Sequence, residues 1–322
     1  MAIEYSADVS GDALEEILTS LAESPRRIPS KYFYDEKGSK LFDRICTLDE
    51  YYPTRTEMAI MRDCIGEICS ALGPQCLLVE LGSGSSTKVR LLLDHLESPA
   101  GYVPVDIALQ HLEHAAAALS KDYAGLPVVP VHADFTRPFE VPELREPSKR
   151  RVVYYPGSTI GNFTPDAARE QLRRISRLCA AGGGLLIGVD LKKDVSVLEQ
   201  AYNDAGGVTA AFNKNILTNL NREFGADFDP GRFDHRAVYD REHGRIEMYL
   251  ISREAHTVRL GGKRLEIRGG EPLLTEYSYK YSPEDFRELA AGVFEVRRVW
   301  TDPRNLFSVQ YLEPAGPRAG KK

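Results

Sequence analysis

The sequence predicts an α/β protein: a Rossmann-like, doubly wound parallel sheet joined to a second, smaller α+β section. Three observations lead there. The apolar run Leu77–Leu81 enters the glycine turn Gly82-Ser83-Gly84, and a helical pattern follows from Lys88. Short apolar runs then alternate with helical patterns as far as Val189, the rhythm of a parallel sheet. From Ala237 to Tyr279 the period changes to that of antiparallel strands, with turn residues at Glu242-His243-Gly244 and Gly261-Gly262-Lys263.

In chain order, Leu14, Ile17, Leu18 and Leu21 have the spacing of an amphipathic helix. Pro25-Arg26-Arg27-Ile28-Pro29 reads as a loop. The stretch from Ser30 to Pro53 is rich in aromatics: Tyr32, Phe33, Tyr34, Phe42, Tyr51 and Tyr52. A helix is predicted from Thr56 to about Leu72, leading into strand Leu77–Leu81 and helix Lys88–Leu96. Strand Tyr102–Val105, helix Leu109–Leu119 and strand Val128–Val131 continue the alternation, and a proline-rich loop follows. Strand Arg151–Tyr155 ends in Pro156-Gly157-Ser158-Thr159-Ile160-Gly161-Asn162-Phe163. Thr164-Pro165-Asp166 starts a helix, with Thr as cap and Pro in the first turn, and it runs to about Cys179. Gly182-Gly183-Gly184 precedes strand Leu185–Val189. Ser196 to about Asn221 reads as helix broken at Gly206-Gly207. Ser282-Pro283-Glu284-Asp285 starts a further helix by capping logic. Phe294–Trp300 and Leu306–Leu312 form a last pair of strands, and the tail from Pro314 to Lys322 reads as a frayed end.

Bulk properties narrow the function. With 322 residues, 43% hydrophobic and 27% charged, the chain has a globular composition and room for one large or two modest domains. A net charge of -6 supplies no basic field for nucleic acid. No apolar run approaches a membrane span, and Met1-Ala2-Ile3-Glu4-Tyr5 is not a secretory signal. Five cysteines without a C-x-x-C suggest a reducing, cytoplasmic compartment. His111 and His114 have no partner ligands nearby in sequence, so no metal is expected.

The glycine turn suits a nucleotide-like cofactor at the carboxyl end of the first sheet strand. It departs from the dinucleotide fingerprint, because Thr87 stands where G-x-G-x-x-G needs its third glycine. Glu80, Asp106 and Asp134 each lie at or near the end of an apolar run. An acid at the position of Asp106 can accept both hydroxyls of a ribose. Three strand-end acids in series fit S-adenosylmethionine better than NAD.

Three other features each carry two readings. Asn162, on the loop after strand Arg151–Tyr155, can donate and accept hydrogen bonds toward an amine, or can simply mark the turn before a helix. The aromatics from Tyr32 to Tyr52 are core, or present ring faces to a sulfonium or ammonium. Glu276 and Ser278 lie two apart on a predicted strand and so share a face. Together they can hold both nitrogens of an imidazole, or they form a solvent-facing polar stripe.

Longer motifs weigh between these readings. They include Lys31-Tyr32-Phe33-Tyr34-Asp35, Glu50-Tyr51-Tyr52-Pro53-Thr54-Arg55-Thr56-Glu57, Val79-Glu80-Leu81-Gly82-Ser83-Gly84 and Gly157-Ser158-Thr159-Ile160-Gly161-Asn162. Further along come Ala201-Tyr202, Gly207-Val208-Thr209-Ala210-Ala211-Phe212-Asn213, Arg245-Ile246-Glu247-Met248, Thr275-Glu276 and Trp300-Thr301-Asp302-Pro303. Through them the chain resembles, over nearly its whole length, the S-adenosylmethionine-dependent histidine Nα-methyltransferases of ergothioneine biosynthesis. The resemblance implies a Rossmann-like class I methyltransferase domain from 55–192 plus 281–322. It also implies a substrate-binding domain from 9–54 plus 193–280, with the amino acid held between the two. Implied cofactor contacts are Gly82, Lys88, Asp106, Asp134 and Phe135. For the substrate it implies Tyr51, Asn162, Tyr202, Glu276 and Ser278, with Tyr34, Phe42 and Met248 close by. Tyr202 and Asn162 would fix the backbone end of the amino acid, and Glu276 and Ser278 would read the imidazole. Tyr34 and Asn162 are the candidates for catalysis.

The expected reaction is methyl transfer to the α-amine of L-histidine, repeated three times to give hercynine, by a cytoplasmic and monomeric enzyme with no nucleic-acid or membrane partner. Two alternatives remain at this stage. The same fold acts on tryptophan-like amino acids in relatives, although an indole cannot use a two-point imidazole clamp. A binding protein without turnover would show an incomplete set of site residues, and none is missing from the motifs.

Overall fold

The computed structural model describes residues 4–5, 13–84, 86–144, 147–179 and 182–316. Ser85 of the glycine turn and residues 317–322 of the tail lie outside them. Two compact units divide the chain. Pro53–Lys192 and the chain from Lys280 onward form most of the first; the segment up to Tyr52 and Lys193–Tyr279 form the second.

Apolar runs hydrophobic on both faces make the centre of the first unit, as the burial of parallel strands requires. Cys76–Leu81, Gly101–Asp106 and Gly184–Asp190 are buried at every residue. Among the described residues they belong to an eight-stranded sheet. Its spatial order is Glu4–Tyr5, Val131–His132, Gly101–Asp106, Cys76–Leu81, Arg150–Tyr155, Gly184–Asp190, Phe307–Pro314, Phe294–Thr301. The strands through Gly184–Asp190 pair in parallel, and Phe307–Pro314 runs antiparallel to both its neighbours. The chain builds outward from Cys76–Leu81 on one side, then crosses to Arg150–Tyr155 on the other. That reversal is a topological switch point, and ligands of such sheets bind beyond the strand ends there. Leu78, Val89, Leu92, Tyr102, Tyr154, Leu186 and Phe307 share one core against the helices.

Two predicted elements differ. The strand expected at Val128–Val131 is only Val131–His132, with one isolated bridge from Val128 to Tyr102. Pro127 precedes that stretch and Pro130 lies inside it, and proline has no N–H for a ladder. The helix expected from Thr56 to Leu72 is two, Tyr52–Asp63 and Ile65–Leu72, with Cys64 between them at non-helical φ -114°, ψ 13°. The helix start at Ser282 is a full capping box: Ser282 Oγ accepts from Asp285 N, and Asp285 accepts from Ser282 N.

In the second unit the hairpin alternation gives a four-stranded sheet, ordered Arg26–Arg27, Pro272–Tyr279, Arg245–Ser252, Phe233–Asp240. Arg26 and Arg27, read from sequence as loop, pair in parallel with Leu273 and Leu274, and Arg26 also bonds Glu271 at 2.8 Å. A separate hairpin joins His256–Leu260 to Lys263–Ile267 through Gly261 and Gly262, both at positive φ (56° and 77°), as a type I′ turn demands. The predicted long helix breaks into Val195–Tyr202 and Val208–Phe224. Asp204 explains the restart: its carboxylate accepts from Val208 N at 2.8 Å and Thr209 N at 2.7 Å, satisfying two open donors of the second helix.

Candidate active site

The glycine turn lies at the switch point of the first unit. Gly82 and Gly84 have φ of +70° and +48°, the left-handed region in which a side chain is strained. Gly82 N donates to Val105 O at 2.8 Å, tying the turn to the next strand. Asp106 closes the same edge: its Oδ2 accepts from Gly84 N at 3.0 Å and its Oδ1 from Ala108 N at 2.9 Å. Each oxygen keeps a lone pair for a ligand. Asp134 Oδ1 accepts from Thr136 N at 2.9 Å and Thr136 Oγ1 at 2.6 Å. The Phe135 ring meets Tyr155 edge-on at 5.7 Å. Gly82, Asp134 and Phe135 therefore sit on the loops at this sheet edge, and Asp106 ends strand Gly101–Asp106 beside them.

The donor set fits S-adenosylmethionine. Ser83 Oγ is buried and has no hydrogen-bond partner among the described residues, although an unpaired buried hydroxyl is costly. Nothing lies within 4 Å of where a Gly84 side chain would point. Glu80 is buried and accepts from Tyr102 Oη at 2.5 Å. Burial raises its carboxyl to about 8, against the opposing Tyr102 bond and Lys88 charge, so it is largely protonated at neutral pH.

Lys88 lies in the first turn of helix Thr87–Leu93 and forms an ion pair with Glu57. Glu57, wholly buried, also accepts from Gly157 N at 3.0 Å. One carboxylate thus ties helix Thr87–Leu93 to the loop that carries Asn162. Glu57 belongs to the motif Glu50–Glu57, where the only local sign of a role is an acid inside an otherwise apolar helix face. Ser158, at φ 59°, accepts from Asp190 N at 2.9 Å and anchors the same loop. Asn162 ends the short 3₁₀ turn Thr159–Asn162, and the next helix, Pro165–Cys179, starts three residues later. The residue before that helix is Thr164, so Asn162 is not its cap.

The second unit gathers the other candidates. Phe212 stacks on Phe33 at 4.5 Å and contacts Tyr34 and Phe42 at 5.8 and 5.9 Å. Phe42 meets Tyr51 at 6.3 Å, and Tyr51 meets Tyr202 at 6.2 Å. Tyr32, Phe33, Tyr51 and Tyr52 are buried, while Tyr34 and Phe42 are half-buried. Burial first, then the neighbouring Tyr202, Cys46, Glu276 and Tyr34, holds the Tyr51 hydroxyl well above its ordinary pKa. Tyr202 Oη and Ser278 Oγ are 2.8 Å apart and buried. Resemblance gave these two residues separate tasks; the structure joins them in one hydrogen bond. Glu276 stands directly opposite Met248 on the neighbouring strand, and Ser278 opposite Ile246.

A glycine turn at the switch point, three acids along one sheet edge and an antiparallel Phe307–Pro314 belong to an S-adenosylmethionine-dependent methyltransferase. Residues 13–314 match the family described as histidine-specific methyltransferase, SAM-dependent, and the chain belongs to that family. It is 42% identical to a histidine N-alpha-methyltransferase of Mycolicibacterium smegmatis, over 94% of this chain and 96% of that one. Identity to the histidine N-alpha-methyltransferase of Mycobacterium tuberculosis is 40%, over 91% and 92%. Ergothioneine biosynthesis protein 1 of Schizosaccharomyces pombe is 30% identical over 86% of this chain, which spans 38% of that longer protein.

Proposed function

We propose that this protein transfers three methyl groups from S-adenosylmethionine to the α-amine of L-histidine, giving hercynine for ergothioneine biosynthesis. The observation that carries the reading is the polar edge of strand Pro272–Tyr279, where Glu276 lies opposite Met248 and Ser278 is bonded to Tyr202. An imidazole offers a ring nitrogen to each of this acid and this hydroxyl, whereas an indole offers a single N–H and no acceptor, so the pair discriminates in favour of histidine. The five cysteines are all free thiols, which supports a cytoplasmic enzyme. No helix of the described residues is long and apolar enough to cross a membrane.

Gly82, Lys88, Asp106, Asp134 and Phe135 would hold the cofactor. When bound it supplies an electrophilic methyl on a sulfonium, with a thioether as leaving group. The protein's own task is alignment, so its residues act mainly by position. Asn162 and Tyr202 orient the backbone end of histidine. Glu276 accepts from one imidazole nitrogen, and Ser278 complements the other. The amine must be neutral to attack, and its proton passes to water, directly or relayed through the Tyr34 hydroxyl. Tyr34, Phe42 and Tyr51 offer ring faces to the growing ammonium, an attraction that survives each added methyl. A single amide at Asn162 suits an acceptor that becomes less polar at every step.

Mass spectrometry of single amino acids incubated with enzyme and S-adenosylmethionine tests the reading. Histidine carrying one, two and then three methyl groups is the expected result. Methylation of tryptophan in preference to histidine would refute it.

A further inference from the structure

Strand Pro272–Tyr279 is not regular. Leu274 pairs with Tyr249 and Glu276 with Met248, so Thr275 is an extra residue with no partner in the ladder. Such a bulge decides which way the following side chains point, because a one-residue slip sends each of them to the opposite face. Here the other face is occupied: Arg245 lies 3.7 Å from the Tyr277 ring centroid and 5.2 Å from that of Tyr279. A slip would exchange Glu276 and Ser278 with those rings.

The bulge is pinned from the helix above it. Thr275 Oγ1 donates to Asn213 Oδ1 at 2.7 Å, and Met248 O lies 3.1 Å from the same hydroxyl. Asn213, buried on helix Val208–Phe224, donates from Nδ2 to Tyr249 O at 3.0 Å and to His235 Nδ1 at 2.9 Å. Nδ1 is then an acceptor, so the imidazole proton is on Nε2, which donates to Tyr202 O at 2.8 Å. Burial lowers the His235 pKa, in keeping with a neutral ring. Every polar group of this hydrogen-bond network has a partner of the right kind, and turning the Asn213 amide over would break three bonds at once. The chain reaches both Tyr202 and the residue before Glu276.

We propose that Thr275 and Asn213 are a positioning pair for substrate choice, holding the bulge that presents Glu276 and Ser278 to the amino-acid side chain. The inference rests on the assignment of Glu276 and Ser278 to the substrate. Neither Thr275 nor Asn213 touches substrate; both act through the strand.

The test compares Thr275→Val, which keeps the shape and removes the hydroxyl, with Thr275→Ser, which keeps the hydroxyl. Steady-state kinetics are measured with histidine, and cofactor affinity by calorimetry. Thr275→Val should raise the KM for histidine at least tenfold, with kcat changed less and cofactor affinity within twofold of the parent. Thr275→Ser should restore KM to within threefold. If the valine variant does not fold, Thr275→Cys, with a weaker donor, should show an intermediate rise. Glu276→Gln is run alongside. A raised KM in Glu276→Gln with parent KM in Thr275→Val overturns the positioning role alone. Parent KM in Glu276→Gln removes the substrate assignment and this proposal with it. A lower melting temperature in Thr275→Val with KM unchanged makes the pair purely structural and also overturns it.

Discussion

Asp106 is the residue whose replacement separates the proposed cofactor binding from histidine binding. Its two oxygens already accept Gly84 N at 3.0 Å and Ala108 N at 2.9 Å, and only 9% of the residue is exposed. In Asp106→Asn one oxygen becomes an amide that cannot accept. One backbone N–H then loses its partner, and under the proposed cofactor role one ribose hydroxyl would lose its acceptor. Hydrogen bonds to a charged group contribute about 1.5–3 kcal/mol each. Losing the ribose bond alone weakens the cofactor by roughly 10- to 100-fold. Losing the backbone bond loosens the glycine turn in the free protein and should lower its melting temperature by a few degrees, on the order of 2–4 °C per kcal/mol for a chain somewhat shorter than this. Calorimetric titration with S-adenosylhomocysteine reads the first effect and a thermal melt the second. Histidine affinity should stay at the parent value. Cofactor affinity within twofold of the parent would refute the assignment, and a lowered melting temperature without it would make Asp106 a turn-holding residue only.

Other consequences follow from the same geometry. Asn162→Ala should lower kcat at least about tenfold, the scale of one lost hydrogen bond, with the fold intact by circular dichroism; a parent rate would remove Asn162 from the chemistry. Glu276→Ala combined with Met248→Ala should shift the product ratio from histidine toward tryptophan when both are supplied equally, and an unchanged ratio would mean that Glu276 does not read the side chain. Glu80 should make stability fall as pH rises. Burial holds its folded carboxyl at about 8, against about 4.3 unfolded, so between those values the native state binds the extra proton. The stability present below the unfolded pKa is thus lost up to the folded one. Glu80→Gln removes that slope, and its melting temperature should gain on the parent between pH 5.5 and 8.5; parallel curves would show that Glu80 is ionised throughout. Glu57→Gln removes the ion pair to Lys88 while keeping an acceptor for Gly157 N, so cofactor affinity should fall and a titration unchanged from the parent would contradict that link.

What the sequence made legible follows from which forces are local. The parallel sheet, the glycine turn and the Ser282 cap rest on short-range patterns, and they stand in the structure close to where the pattern sets them. The exceptions also have local causes that the pattern understates. Pro127 and Pro130 cut the strand before Val131 to two residues, because missing N–H groups outweigh apolar periodicity. Arg26 and Arg27 look like loop because their charge opposes a strand reading. Their backbones pair with Leu273 and Leu274, while Arg26 finds Glu271, which is 245 residues away in sequence. The site divides in the same way. Asp106 and Asp134 are visible as acids at strand ends, but Glu57 gains meaning only from Lys88 and Gly157, which no spacing connects to it. Thr275 is the sharpest case. From sequence it is an ordinary strand residue, and the alternation it belongs to predicts that Glu276 and Ser278 share a face. That prediction is insensitive to a bulge, since both residues lie after it. Which face they share depends on the bulge, and the bulge is fixed by an asparagine 62 residues earlier. Periodicity therefore says which residues act together, whereas long-range hydrogen bonds decide what they act upon.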